Sequence, residues 1–129
     1  MRAWLRILMA TGLALGAVRV EAHHLFAHTY LADRTVTIEG ELAQVVFRNP
    51  HSLVHLIVQD ESGREVRYAV EWAGADQLEA QGVTSETLKT GDHVVVTGSP
   101  GRFPGDRRLQ LTTLHRPKDN YHYDGRREP

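Results

Sequence analysis

The fold of this chain is decided by residues 54–72, VHLIVQDESGREVRYAVEW. In the first half of this stretch, bulky apolar side chains stand at positions 54, 56 and 58, and in the second half at 66, 68, 70 and 72. A polar, glycine-containing turn, Asp60–Gly63, separates the halves. Two runs with a period of two around such a turn predict an antiparallel pair of strands that buries one face.

The preceding segment, Thr35–Phe47, has the pattern of one long, bent strand. Its alternation slips between Gly40 and Ala43, and a glycine at such a slip favours a bend or a β-bulge. The sequence Asn49-Pro50-His51 follows and predicts a turn, because proline cannot continue an interior ladder and asparagine favours turns.

Downstream, the pattern predicts one short helix and two further strands. Ala75–Gln81 is rich in helix formers and stops at Gly82, whereas His93–Gly98 and Arg107–Leu114 are expected to be strands four and five. This order predicts a mostly β protein, a small five-stranded OB-like barrel with one short helix between strands three and four. Another small β-barrel or an open meander is the alternative. The expected core is Val36, Ile38, Leu42, Val45, Phe47, Val54, Leu56, Val58, Val66, Tyr68, Val70, Leu78, Leu88, Val94, Val96, Leu109 and Leu111.

The first 22 residues have the order of a secretory signal peptide. A basic start precedes the uncharged, mostly apolar run Ile7–Val18, and the small residues Val20 and Ala22 precede the expected cleavage site. A membrane anchor is the alternative, but spanning a bilayer takes about 20 apolar residues. We therefore expect cleavage after Ala22, no membrane insertion of the mature chain, and a periplasmic or secreted protein.

The sequence thus divides into four predicted segments. These are the signal peptide at 1–22, an N-terminal arm at 23–34, the OB-like barrel at 35–115 and a flexible polar tail at 116–129.

The charge of the expected mature chain argues against one class of partner, and its lack of cysteine excludes one source of stability. The predicted signal contains three of the 15 Lys and Arg residues and one of the 16 Asp and Glu residues, which leaves 12 basic and 15 acidic residues and a formal charge of −3. This balance argues against nucleic acid as a partner, because phosphate binding depends on Lys and Arg. The chain has no cysteine, so no disulfide stabilises an exported fold.

Three stretches together carry a resemblance to a known family. They are His23-His24-Leu25-Phe26-Ala27, Asn49-Pro50-His51 and residues 88–100, LKTGDHVVVTGSP. The chain resembles the DUF6152-type family of small exported bacterial proteins of unknown function, from the histidine pair to about Leu114. The resemblance supports the expected fold and export, and it implies no particular activity.

Cleavage after Ala22 would leave His23 with a free α-amine, which is the sharpest chemical feature of the sequence. The amine has an ordinary pKa near 7.7 to 8.0, so a metal ion can displace its proton near neutral pH. The amine, the His23 ring and a third nitrogen from His24 or His28 would form a nitrogen-rich set that favours Cu(II). His51, in the turn, is the best distant candidate for a further ligand. A solvated histidine arm without metal is the alternative for the same residues.

No complete catalytic motif stands beside these histidines, so the sequence favours a binding module over an enzyme. No cofactor other than copper is suggested, and the oligomeric state stays open. The alternatives are a binder of a small organic ligand or peptide without metal and a copper-dependent redox enzyme. His55 and His93 are expected at the surface or rim, and His115 and His122 in or near the tail.

Overall fold

The computed structural model describes residues 28–103 and 105–126. The predicted signal peptide and the candidate ligands His23 and His24 lie outside the described residues. The elements are β1 (Val36–Val46), β2 (Leu53–Gln59), β3 (Glu65–Glu71), α1 (Ala75–Ala80), β4 (His93–Pro100), β5 (Arg108–Arg116), a 3₁₀ turn (Pro117–Asp119) and β6 (Tyr121–Asp124). None of the helices in this part of the chain is long and apolar enough to cross a membrane.

Five strands close into a mixed barrel in the order β1-β2-β3-β5-β4-β1. β1 pairs antiparallel with both β2 and β4, and a short parallel pairing between β3 and β5 closes the barrel. The prediction of a mostly β, five-stranded barrel with one short helix between strands three and four is confirmed. The closing pairs are Ala69 with Arg108, Val70 with Leu109, and Glu71 with Gln110.

The slip in the first strand is a real bulge. The register of β1 against β2 shifts between Leu42 and Gln44, and Leu42 is fully buried. Backbones also approach closely at two glycines on β1 and β4. A Cβ on Gly40 would lie 2.2 Å from the carbonyl oxygen of Ile57, and one on Gly98 would lie 1.9 Å from that of Gln110. These glycines let the strands bend tightly enough for β1 and β4 to belong to a small barrel.

The structure buries, or packs against the core, every residue expected in the core except one. Most of the expected core residues are buried or pack against the buried cluster, but Val36 is 37% exposed at the start of β1. Its position at the barrel rim explains this error. The structure adds Tyr30, Val83, Leu114 and Tyr123 to the core, and it buries Trp72, which the alternation places on the same face as Val70.

The prediction of a flexible tail from residue 116 was wrong for the part that the structure describes. Arg116 ends β5, and the 3₁₀ turn then reverses the chain so that β6 pairs antiparallel with β5. Tyr123 is buried and packs edge-on against Trp72, with ring centroids 5.1 Å apart. This strand was missed because its composition is polar and only one of its four residues, Tyr123, is buried, while Tyr121 packs against the core from a half-buried position.

A buried ion-pair network anchors the turn before β6. The carboxylate of Asp92 is only 5% exposed and accepts hydrogen bonds from Arg116 Nη1 at 2.7 Å, Lys118 Nζ at 2.5 Å and the backbone N–H of Lys89 at 3.0 Å. Arg116 also binds both carboxylate oxygens of Asp119. Burial raises the pKa of Asp92, but these hydrogen bonds outweigh it and lower the pKa to about 2.

Replacing Asp92 should therefore destabilise the barrel in a pH-dependent way. A pKa lowered from 3.8 to about 2 corresponds to about 2 kcal/mol of stability, which is present above pH 4 and is lost as the pH falls towards 2. Urea unfolding should show Asp92→Asn to be about 2 to 3 kcal/mol less stable than the parent at pH 7. The gap should shrink steadily below pH 4.

The exposed Asp33 offers the matched control, because Asp33→Asn should change stability by less than about 0.5 kcal/mol. A gap between Asp92→Asn and parent that stays constant from pH 7 to pH 2 would contradict the network.

Candidate functional site

The buried Ser52 fixes the base of the turn that carries His51. The Ser52 side chain is fully buried, and its hydroxyl bonds back to Arg48, accepting from the Arg48 N–H and donating to the Arg48 carbonyl oxygen, both at 3.2 Å. The Ser52 backbone pairs with the segment after β3, donating to Ala73 at 3.1 Å and accepting from Trp72 at 2.8 Å. The base of the turn therefore belongs to the barrel wall.

The start of α1 holds the other side of the same turn. Asn49 Oδ1 accepts a hydrogen bond from the N–H of Asp76 at 3.1 Å, and the carbonyl oxygen of Arg48 accepts one from Ala75 at 3.0 Å. Gly74 permits this approach, since a Cβ there would lie 2.5 Å from the carbonyl oxygen of Pro50. The Asn49-Pro50-His51 turn is thus fixed between the barrel and the helix.

At the tip of this turn, His51 contacts the carboxylate of Glu71, the last residue of β3. His51 Nδ1 contacts Glu71 Oε1, and the side chains are 60% and 17% exposed respectively. A neutral histidine that donates its Nδ1–H to a carboxylate carries its lone pair on Nε2. Glu71 therefore selects the tautomer and the ring orientation of an exposed imidazole whose Nε2 can accept a ligand.

The second oxygen of Glu71 is held by Tyr30, from the predicted arm. The Tyr30 hydroxyl donates to Glu71 Oε2 at 2.6 Å, and the Tyr30 side chain is only 2% exposed. Burial first, and then the hydrogen bond to Glu71, raise the pKa of Tyr30 far above its usual value. The phenol consequently stays protonated and remains a donor to the carboxylate.

Backbone hydrogen bonds dock the chain around Tyr30 onto the barrel. Leu31 donates to the carbonyl oxygen of Pro100 at 2.9 Å, and Arg102 donates to that of Thr29 at 3.0 Å. The predicted irregular arm is therefore attached to the barrel at residues 29–31. It is attached at the end of the barrel where Glu71 and His51 lie.

Two open clefts flank the His51–Glu71 pair. One has a volume of about 370 Å³ and includes Arg48, Leu53 and Arg108 in its lining. The other has a volume of about 330 Å³ and is lined by the His51 turn, the end of β3 with the two residues after it, the middle of β5, and the chain from Tyr123 to Arg126. The Arg108 guanidinium also lies over the Tyr30 ring, 5.9 Å from its centroid. The imidazole of His51 therefore stands between two surface depressions.

The structure describes only two of the four predicted metal ligands, His28 and His51. His51 lies in the site just described, and His28 is exposed two residues before Tyr30. His23 and His24 lie outside the described residues, so their role stays a prediction. Within residues 28–103 and 105–126, no three His, Cys, Asp or Glu side chains gather in a group able to hold a metal ion.

The remaining histidines lie on strands. His55 is half-buried on β2, and burial, followed by the charge of Arg67, lowers its pKa. His93 is exposed at the start of β4 and pairs with Glu39 at 2.6 Å. His115 and His122 face each other across β5 and β6. No pattern in the sequence pairs these two histidines, because β6 itself was not predicted.

Sequence reasoning missed the groups that position His51. No motif in the sequence indicates that Glu71, Ser52 or Tyr30 is a partner of His51. Alternation does place Glu71 on the face opposite Trp72, which was the one available signal. Tyr30 lies in a segment without periodicity, so nothing in the pattern connects it with β3.

A protein family described as a family of unknown function, DUF6152, matches residues 10–108. The chain belongs to this family. The match covers more than half of this chain, from before His23 to the beginning of β5. No curated protein matches the sequence. The family assignment therefore carries no activity over to this DUF6152 protein.

The Tyr30 hydroxyl should stabilise this DUF6152 barrel measurably. Tyr30→Phe keeps the buried ring but removes the donor to Glu71, and hydrogen bonds to charged groups contribute about 1.5 to 3 kcal/mol. We expect urea unfolding to show a loss of about 1.5 kcal/mol.

Tyr68→Phe is the control, because the Tyr68 hydroxyl has no hydrogen-bond partner among the described residues and its loss should cost less than about 0.5 kcal/mol. Equal losses in both variants would show that the hydroxyl of Tyr30 does not bind Glu71 in solution.

Proposed function

We propose that this protein is an exported, periplasmic or secreted binding module that holds Cu(II) with its processed N-terminal histidines and His51. His23 supplies the α-amine and a ring nitrogen, and His24 or His28 adds another nitrogen. His51 completes the set from the barrel. In this proposal the protein binds copper and does not catalyse a reaction.

The observation that carries the proposal is the pairing of His51 with Glu71. Histidines that bind metals commonly donate their other ring N–H to a carboxylate, which fixes the ring and makes the ligating nitrogen more basic. Glu71 contacts Nδ1 of His51 in this way, and Tyr30 holds the second carboxylate oxygen. The exposed ring is thus oriented before any ligand arrives, and the donor set of imidazoles and an amine suits Cu(II).

The docking of the arm supports the same proposal. Tyr30 donates a hydrogen bond to the carboxylate that orients His51, so the N-terminal arm contacts the barrel next to His51. His24 precedes Tyr30 by six residues, and six residues of extended chain span at most about 20 Å. A processed N-terminus therefore has enough chain to reach His51.

The cleft that contains Arg48 and Arg108 favours a second candidate function. Its volume falls within the usual range for small-molecule sites, and its lining includes these two arginines beside the Glu71 carboxylate that His51 and Tyr30 already engage, which suits a small organic anion. In this alternative, Nε2 of His51 would accept a hydrogen bond from a hydroxyl or N–H group of the organic ligand, and no metal would be bound. Such a ligand would stabilise the protein even after His23 is removed.

Cu(II) titration of the exported and processed protein tests the proposal. Intact mass should first establish that the chain begins at His23. We expect stoichiometric Cu(II) binding that is at least 100-fold weaker when one alanine precedes His23. His51→Ala and Glu71→Gln should each weaken binding by about 10- to 100-fold, as is typical when a ligand or its hydrogen-bond partner is removed.

His93→Gln is the matched control, because His93 also pairs with a carboxylate but lies on a different part of the barrel. Its copper affinity should equal that of the parent. Equal, weak binding by the parent and the alanine-extended chain would refute the copper proposal and leave the organic-ligand function. Oxidative turnover by the copper-loaded protein with a reductant would instead indicate an enzyme.

A further inference from the structure

We propose that His115, His122 and Asn120 form a second metal site, which binds a divalent transition-metal ion of the Zn(II) type. The site lies on the outer surface of β5 and β6. It shares no residue with the copper site proposed above, and it does not depend on that proposal.

The two histidines face each other directly across the strands. His115 and His122 are register partners, and their rings stack with centroids 4.1 Å apart and planes within 2° of parallel. Both Nε2 atoms point towards Asn120 Oδ1, at 3.3 Å for His115 and 3.1 Å for His122. Two imidazole nitrogens and an amide oxygen therefore converge on one small region.

The backbone around this cluster is fixed by neighbouring interactions. Asn120 ends the 3₁₀ turn in the left-handed region, with φ of 55°, and its N–H donates to the carbonyl oxygen of Pro117. Arg116 binds Asp119 through two hydrogen bonds and is itself anchored on the buried Asp92. The turn that presents Asn120 is thus tied to the barrel by the ion-pair network.

Metal binding requires only a local rearrangement of protons and rings. Each neutral imidazole donates an Nε2–H to Asn120 Oδ1 in the geometry observed, so each must move that proton to Nδ1 to free the Nε2 lone pair. No net proton is released when both rings are already neutral. A modest splay of the stacked rings then brings both nitrogens to the Zn–N distance of about 2.0–2.1 Å. Asn120 Oδ1 and water complete the coordination.

Binding at this site would fasten the last strand to the barrel. Among the strands that the structure describes, β6 pairs with β5 alone, and its Tyr123 packs against Trp72 in the core. An ion that bridges His115 on β5 and His122 on β6 binds the folded state more tightly than the unfolded chain. It therefore raises the melting temperature in proportion to the logarithm of its concentration.

The test uses the full chain with His23, His24, His28 and His51 all replaced by Gln. This background removes the proposed copper site, so the two proposals can fail separately. We expect Zn(II) at about 100 times its Kd to raise the melting temperature, followed by circular dichroism, by about 10 °C. His122→Gln in the same background should abolish the rise.

His93→Gln in that background is the control, and the rise should persist in it because His93 and Glu39 lie elsewhere on the barrel. Nitrogen-15 spectra of the histidine side chains should show Zn(II) shifting the Nε2 resonances of His115 and His122. Two results would overturn the proposal: no Zn(II)-dependent rise in the background, or a rise that survives in His122→Gln. A rise lost in His93→Gln alone would place the ion at His93 and would also overturn it.

Discussion

The short parallel pairing between β3 and β5 is the constraint on which the rest of the structure depends. Without it, β1 to β5 would form an open sheet with two distant edges. With it, Glu71 at the end of β3 lies opposite Gln110 on β5, and Arg108 lies beside the same end of the barrel. The buried Tyr30 then packs where the two strands meet and reaches Glu71. Closure of the barrel thus assembles the polar site as well as the core.

The site shows how three distant segments of sequence make one oriented imidazole. The turn supplies His51, β3 supplies the carboxylate, and the docked arm supplies the phenol that holds this carboxylate in place. Each hydrogen bond is modest alone, but together they fix the ring in a single orientation. The C-terminal segment is fixed in a similar way. Asp92 binds Arg116, and Arg116 anchors the turn that presents Asn120.

The fold could be predicted from sequence because its signals are local. Alternation in residues 54–72 and the slip at Gly40 identify strands and a bulge without knowledge of their partners. The candidate site could be predicted only in part. His51 was identifiable from its turn, but its bond to Glu71 follows from pairing between distant strands. The stacking of His115 on His122 depends on β6, whose polar residues conceal a single buried tyrosine.

The central claim is that His51, oriented by Glu71, is a copper ligand, and pulsed EPR tests it most directly. The processed protein, labelled with nitrogen-15 only in histidine, would be loaded with one equivalent of Cu(II) and compared with His51→Asn. Our account predicts that the variant loses the nitrogen modulation of one coordinated imidazole while the His23 amine stays bound. Identical spectra from the parent and the variant would contradict it.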